Sequence, residues 1–305
     1  MTTSFDLRLP AGYTVRGKWK GGTYTVEKLL GSGSNGNVYL VCQGKAQYAM
    51  KVGFDPVDFQ SEINALTAIS KSQRAGDRYF IEADDVRFEG EDLPYYIMKY
   101  IRGSTLDDFL RRRGKDWFHL IGYHVLCRLS ELHAEGRIFG DLKKENIMIS
   151  DYGRVDLVDY GGVTVFGQAV KQFTEIYDRG YWGAGSRSAD VGYDLFSFAV
   201  LCLHTVEPDK VHALTDRSLP QNRQPDDLVH LVRNSLALRQ VAPVLIKALR
   251  GGYTSSKEAC ADWRKVMHVP RRGVAVLAGS NVAWIKGVFV GSLLVLLSTA
   301  YMVLR

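Results

Sequence analysis

Four short strings follow one another along the chain: Gly31-Ser32-Gly33-Ser34-Asn35-Gly36-Asn37-Val38, Ala49-Met50-Lys51, Asp141-Leu142-Lys143-Lys144-Glu145-Asn146 and Asp159-Tyr160-Gly161. Glycines without side chains let backbone N–H groups approach phosphate oxygens, with Gly31, Gly33, Gly36 and Val38 as the nucleotide-facing set. Lys51 supplies a cation for the phosphates, and Glu62, on the helix expected after Asp55-Pro56, is its expected carboxylate partner. Asp141 is placed to accept or orient an attacking hydroxyl, and Lys143 to neutralise charge on the group in transfer. Asn146 and Asp159 are the oxygen donors for Mg2+ or Mn2+. Together these residues are the parts needed to move the terminal phosphoryl group of ATP, a reaction governed by positioning and charge neutralisation.

The elements that must carry these residues are legible in outline. A hairpin signal at Gly21-Gly22 precedes a strand over 24–30, and further strands are expected near 37–42 and 47–52. A strand rather than a helix after the glycines argues against a dinucleotide fingerprint. Phe59, Ile63, Leu66 and Ile69 recur at helical spacing around Glu62. Strands near 78–81 and 95–100 close a smaller, β-rich part. Helices are then expected from Leu106, over 117–134, 193–206, 226–238, 241–249 and 257–266. Asp159 follows the strand-like run Val155-Asp156-Leu157-Val158, which would return it beside Asn146, whereas Asp151-Tyr152-Gly153 reads as the turn between two short strands.

At 305 residues, 46% hydrophobic and 24% charged, the chain has the make-up of a folded protein with a sizeable core. The net charge of +6 favours anionic surfaces, and Arg111–Arg113, Lys115 and Arg271-Arg272 raise DNA or anionic lipid as partners. Solvated helix faces account for the same residues. Cys42, Cys127, Cys202 and Cys260 lack metal-ligand spacing and read as free thiols.

Residues 287–304 carry no charge; as a helix this stretch would be about 27 Å long, against a hydrocarbon core of about 30 Å. Trp284 and Lys286 would mark one interface, Tyr301 and Arg305 the other. Arg264, Lys265, Arg271, Arg272 and Lys286 precede the span, so the expectation is a single-pass tail anchor in the cell membrane with the large N-terminal part cytoplasmic.

The motifs make the chain resemble the Hanks-type (eukaryotic-like) bacterial serine/threonine protein kinases over residues 24–268. Ile138-Phe139-Gly140-Asp141-Leu142-Lys143, Tyr177-Asp178-Arg179-Gly180-Tyr181-Trp182-Gly183 and the uncharged tail look more narrowly like the YabT-type membrane-anchored kinases of spore-forming bacteria. The resemblance implies an α+β bilobal fold with a β-rich N-lobe, a helical C-lobe and a C-terminal transmembrane helix, together with ATP in the cleft, metal on Asn146 and Asp159, protein substrates and a sporulation-related role. The domain organisation expected is an N-terminal extension with an extra hairpin (1–23), a kinase domain (24–268), a basic linker (269–283) and an anchor (284–304). Lys143 matches the serine/threonine pattern, and Asp194 matches the helix aspartate that holds the catalytic loop.

Three departures stand out. Phe139-Gly140 replaces His-Arg before Asp141, so Phe139 is expected to pack on Tyr160. Gly140 removes the arginine that would clamp a phosphorylated activation segment, for which Thr164 and Thr174 are the test positions. The Ala-Pro-Glu signature is absent, which implies a different substrate-docking arrangement. A kinase-fold small-molecule phosphotransferase, suggested by Gly140-Asp141, and a membrane-tethered pseudokinase scaffold are the competing readings. The full glycine string with Lys143 opposes the first, and the presence of Lys51, Asp141, Asn146 and Asp159 opposes the second.

Overall fold

The computed structural model describes residues 8–33, 35–72, 78–268, 288–289, 292 and 299–302. The chain divides into two units, Met1–Met267 and His268–Arg305. In the second, the described residues are helical. Most of the predicted anchor, 284–304, and the whole of the predicted linker, 269–283, lie outside the described residues. Among the described residues no helix is long and apolar enough to cross a membrane.

The N-terminal part of the first unit is an antiparallel sheet of β1 (Thr14–Arg16), β2 (Thr23–Gly33), β3 (Gly36–Gln43), β4 (Ala46–Gly53), β5 (Phe80–Phe88) and β6 (Glu91–Lys99), in the order β1-β2-β3-β4-β6-β5. Helix α1 (Pro56–Ser72) lies between β4 and β5 in the chain. Its Phe59 and Leu66 bury against Ala49, Tyr96 and Met98 of the sheet. The opposite face buries Val15, Val26, Val41, Met50, Tyr95 and Ile97, as the alternation of side chains in strands requires.

The strand expected near 78–81 is longer than its composition suggests, because Asp84 and Asp85 sit inside it. As the edge strand, β5 can use those acids on its neighbour. Asp84 accepts the backbone N–H groups of Trp19 and Lys20 at 2.9 and 2.7 Å, and Asp85 accepts Trp19 Nε1 at 2.8 Å. The loop between β1 and β2 is thereby tied to the far edge of the sheet. Glu89 and Gly90, with φ of 50° and 91°, turn β5 into β6.

The C-terminal part begins with β7 (Ser104–Thr105), α2 (Leu106–Arg113) and α3 (Phe118–Ala134). It continues through β8 (Arg137–Ile138), β9 (Ile147–Ile149), β10 (Val155–Leu157) and β11 (Thr164–Val165). Helices α4 (Val191–Val206), α5 (Pro208–Arg217), α6 (Pro225–Asn234), α7 (Ala242–Leu249) and α8 (Ser256–His268) complete it. Its core centres on α4, which buries a nearly continuous run from Tyr193 to His204; a helix apolar all round belongs in the middle of a domain. Helix α5 was not anticipated. It buries one residue, Val211, and so carries little apolar periodicity. A β-rich N-terminal lobe over a helical C-terminal lobe is the bilobal arrangement expected.

Candidate active site

Strand register builds the roof of the cleft. Gly31 pairs with Val38, Val38 with Lys51, and Lys51 with Tyr96, forming one row across β2, β3, β4 and β6. Directly paired residues project to the same face of a sheet, so Val38, Lys51 and Tyr96 all line a cleft of about 610 Å³. The glycines divide by role. A Cβ on Gly31 would meet nothing within 4 Å and one on Gly33 only a carbonyl oxygen at 4.0 Å, so their backbone faces open space. A Cβ on Gly36, which has φ of 143°, would lie 2.1 Å from Val52 O. Gly36 answers to packing on β4 as well as to the cleft.

Lys51 Nζ donates to Glu62 Oε2 at 2.8 Å and Oε1 at 3.0 Å, and to Asp159 Oδ1 at 3.0 Å. Tyr96 OH donates to Glu62 Oε1 at 2.7 Å. Burial works against the Lys51 ammonium, but Glu62 and Asp159 outweigh it and raise its pKa. Burial likewise opposes the Asp159 charge, and Lys51 overcomes it and holds the carboxyl below its ordinary value. Glu62 is pushed up by burial, which Lys51 only partly offsets and the nearby Asp159 charge reinforces. One ammonium thus serves two carboxylates, from α1 and from the segment after β10. Removing Lys51 or Glu62 would leave the other as a buried charge short of its partner, a loss of about 3–5 kcal/mol for a buried pair.

The lower wall is the segment between β8 and β9. Asp194, at the start of α4 and fully buried, accepts the backbone N–H groups of Phe139 at 2.7 Å and Gly140 at 2.9 Å, and contacts His133 Nε2 at 2.9 Å. This fixes the backbone entering Asp141. The Asp141 carboxylate receives Lys143 Nζ at 2.7 Å on Oδ2 and Thr174 Oγ1 at 2.7 Å on Oδ1. Asn146 Nδ2 donates to Asp141 O at 2.9 Å, which leaves its amide oxygen for another partner. Val158 N donates to Asn146 O at 2.9 Å, closing the β9–β10 hairpin so that Asp159 returns beside Asn146. Tyr152 and Gly153, with φ of 60° and 73°, form the turn of that hairpin. Asp159 itself has φ of 62°, a conformation that costs a non-glycine residue about 1–3 kcal/mol and persists only where the surroundings hold it. Phe139 meets Tyr160 edge-to-face at 5.7 Å, as expected.

The residues present fit Mg-ATP. Two open-backbone glycines, a lysine held charged, and an amide oxygen and a carboxylate on facing segments supply a phosphate cradle and hard oxygen donors for a small divalent cation. The roles of three residues are not legible in the sequence. Tyr96 is legible only through its register with Lys51. Thr174 stands 33 residues from Asp141. Asp178 anchors the segment that lacks the Ala-Pro-Glu signature. It is buried and accepts Gly180 N at 3.2 Å, Tyr181 N at 3.0 Å, Tyr193 OH at 2.9 Å and Arg187 Nε at 2.7 Å. Thr174 is one of the two positions that test whether the chain does without a phosphorylated clamp, and its hydroxyl is committed to Asp141.

Comparison with known proteins agrees with this geometry. Residues 24–244 match the protein kinase domain family. The chain is 36% identical over 266 residues to serine/threonine-protein kinase YabT of Bacillus subtilis (strain 168), covering 85% of this chain and 76% of that protein. It is 32% identical over 171 residues to the probable serine/threonine-protein kinase YbdM of the same organism, covering 52% of this chain and 62% of the relative. Protein kinase 3 of Dictyostelium discoideum is 35% identical over 141 residues, which is 44% of this chain and 15% of that much longer protein. With the lysine, the two carboxylates, the asparagine and the glycine roof gathered on one cleft, the chain belongs to the protein kinase family, in its Hanks-type bacterial serine/threonine branch.

Proposed function

We propose that the protein transfers the γ-phosphoryl group of Mg-ATP to serine and threonine hydroxyls of protein substrates while held at the cell membrane, its catalytic unit in the cytoplasm, by residues 284–304. The convergence of Lys51, Asn146 and Asp159 on one cleft, with Glu62 bonded to Lys51 and Asp141 to Asn146, carries the reading. Bound Mg-ATP supplies the phosphoryl group and the charge that the site must neutralise. Gly31, Gly33 and Val38 roof the nucleotide. Lys51 holds its phosphates and is itself held by Glu62. Asn146 and Asp159 hold the metal. Asp141 orients the incoming hydroxyl and takes up its proton, with Lys143 and Thr174 fixing the carboxylate in place.

Transfer of labelled phosphate from Mg-ATP to a protein acceptor tests the chemistry. Asp141→Asn is expected to lose about 10²–10⁴-fold in turnover while nucleotide binding persists. Undiminished transfer in that variant, or transfer to sugars or amines with none to protein, would refute the assignment.

The uncharged stretch 287–304 and the cations that precede it support the anchor. After cell fractionation the full chain is expected in the membrane pellet, resistant to alkaline extraction, with a chain truncated before residue 284 in the soluble fraction. A full chain that is soluble throughout removes the anchor. A role in sporulation belongs to the same reading through the resemblance to kinases of spore-forming bacteria, and a deletion strain that sporulates normally would discard it.

A further inference from the structure

A second cleft, of about 490 Å³, opens behind the segment joining the lobes. Lys45 reaches it from the β3–β4 turn, Gln47 from β4, Lys99 from the end of β6, Arg102 from the connection itself, and Arg154 from the turn between β9 and β10. Lys99, Tyr100 and Ile101 line this cleft and the nucleotide cleft alike, so one stretch of chain is a wall of both.

The charge of the cleft is one-sided. Four cations line it against a single carboxylate, Asp156. That carboxylate is already shared, with Arg128 Nη2 at 3.3 Å and Arg154 Nε at 3.6 Å. Arg102 spends one nitrogen on the neutral amide of Gln47 at 2.7 Å. Among the described residues neither Lys45 nor Lys99 has an acidic partner. Like charges gathered in a concavity repel one another and focus a positive field into it. An anion seated there would relieve that repulsion. Guanidinium groups suit phosphate oxygens, which they can meet with paired donors. A concave site of this volume is the size of small-ligand pockets, about 300–1,000 Å³, rather than of an extended groove.

We infer that this cleft is a binding site for a compact, multiply charged phosphate compound that bridges the two lobes from behind. The bridging follows from the origins of the cations. Lys45, in the β3–β4 turn, and Lys99, the last residue of β6, belong to the N-terminal sheet, Arg154 to the C-terminal lobe, and Arg102 to the connection between them. An occupant held from both sides ties the lobes together at the chain segment that also borders the nucleotide.

The test uses the full-length chain with its nucleotide cleft saturated by magnesium and a non-hydrolysable ATP analogue. Inorganic tripolyphosphate is then titrated by calorimetry, with magnesium kept in excess. Saturable binding is expected that persists with the nucleotide cleft filled, weakens steeply with salt, and drops at least fivefold in Lys45→Gln and, separately, in Arg154→Gln. Both side chains are at the surface, and unchanged melting without ligand verifies that the variants fold. No binding once the nucleotide cleft is filled overturns the site. Loss in only one of the two variants overturns the bridging. A single-stranded DNA oligonucleotide that displaces tripolyphosphate at lower concentration, and is itself lost in both variants, would assign the surface to nucleic acid and overturn the small-ligand reading. None of these readouts needs turnover, so the result stands apart from the phosphoryl-transfer assay.

Discussion

Three neighbours hold the Asp141 carboxylate: Lys143 and Thr174, each at 2.7 Å, and more loosely Asn146 Nδ2 at 3.4 Å. An aspartate with free rotation would point at the substrate hydroxyl for only part of the time, so each contact converts side-chain entropy into orientation. A hydrogen bond to a charged group is worth about 1.5–3 kcal/mol. Thr174→Ala is therefore expected to lower turnover roughly 10–100-fold with KM for ATP little changed, and Thr174→Ser to restore it. Phosphatase treatment separates this from activation by phosphorylation, because the treated wild type is expected to keep its activity. Thr164 donates to Gly162 O at 2.9 Å and has no such tie to the reacting groups. Gly140 is decided at the same scale. Its φ is 82° and a Cβ there would lie 2.3 Å from Gly162 O, so this backbone has no room for the family's arginine. The phosphate clamp is absent for a steric reason.

Among the elements, the segment from Thr174 to Asp190 lacks the Ala-Pro-Glu signature, and its anchor is electrostatic. Asp178 gathers two backbone N–H groups, the Tyr193 hydroxyl and Arg187. Next to it Arg179 pairs with Asp190 at 2.7 Å, and Asp190 also caps α4 by accepting Tyr193 N at 2.9 Å. The segment that would receive a substrate is thus fastened to the first turn of the most buried helix. Asp178→Ala would leave the buried Tyr193 hydroxyl and three part-buried donors without their acceptor, at a cost of about 3 kcal/mol. For a domain of this size that corresponds to a Tm lower by roughly 6–12 °C, readable by calorimetry, with Asp178→Asn keeping part of the difference. A Tm within a degree of wild type would show that the segment is held by something else.

At the scale of the whole molecule, a column of rings crosses between the lobes. Tyr79, just before β5, meets Tyr160 at 5.0 Å, and Tyr160 meets Phe139 above the Asp194 carboxylate. A second link, through the C-terminal lobe, responds to pH. Tyr177 OH bonds His204 Nδ1 at 2.8 Å, and His204 Nε2 lies 3.1 Å from His212 Nε2. Burial lowers the His204 pKa to about 4 from its ordinary 6.5, helped by the Lys144 and His212 charges. The folded protein therefore takes up this proton less readily than the unfolded chain. The stability from neutral His204 is full above pH 6.5 and is lost progressively as the pH falls towards 4. Tm measured across that window is expected to fall more steeply in wild type than in His204→Gln; parallel curves would exclude His204 as the titrating group.

The nucleotide-site residues were readable in the chain because each sits in a local string whose chemistry depends on its immediate neighbours: glycines in a hairpin, a lysine in a strand, Asp141 five residues before Asn146, a strand running into Asp159. The longer strands and the helices α1, α3 and α4 were legible for the same reason, since periodicity is a local property, whereas the two-residue strands β7, β8 and β11 carry no such pattern. The edge strand β5 was underestimated because its acids serve a loop some 65 residues away in the chain. The partners that hold the site are just as distant. Tyr96 reaches Glu62 only once α1 packs on the sheet, Thr174 reaches Asp141 across the folded segment, and Asp178 finds Arg187 and Tyr193 only once α4 is in place. The basic cleft is the plainest instance: Lys45, Lys99, Arg102 and Arg154 look like ordinary solvated charges until the two lobes close on a shared connection. Spacing along a chain specifies which groups are available, while long-range packing selects which of them meet, because hydrogen bonds and charges act over ångströms in space and not over positions in sequence.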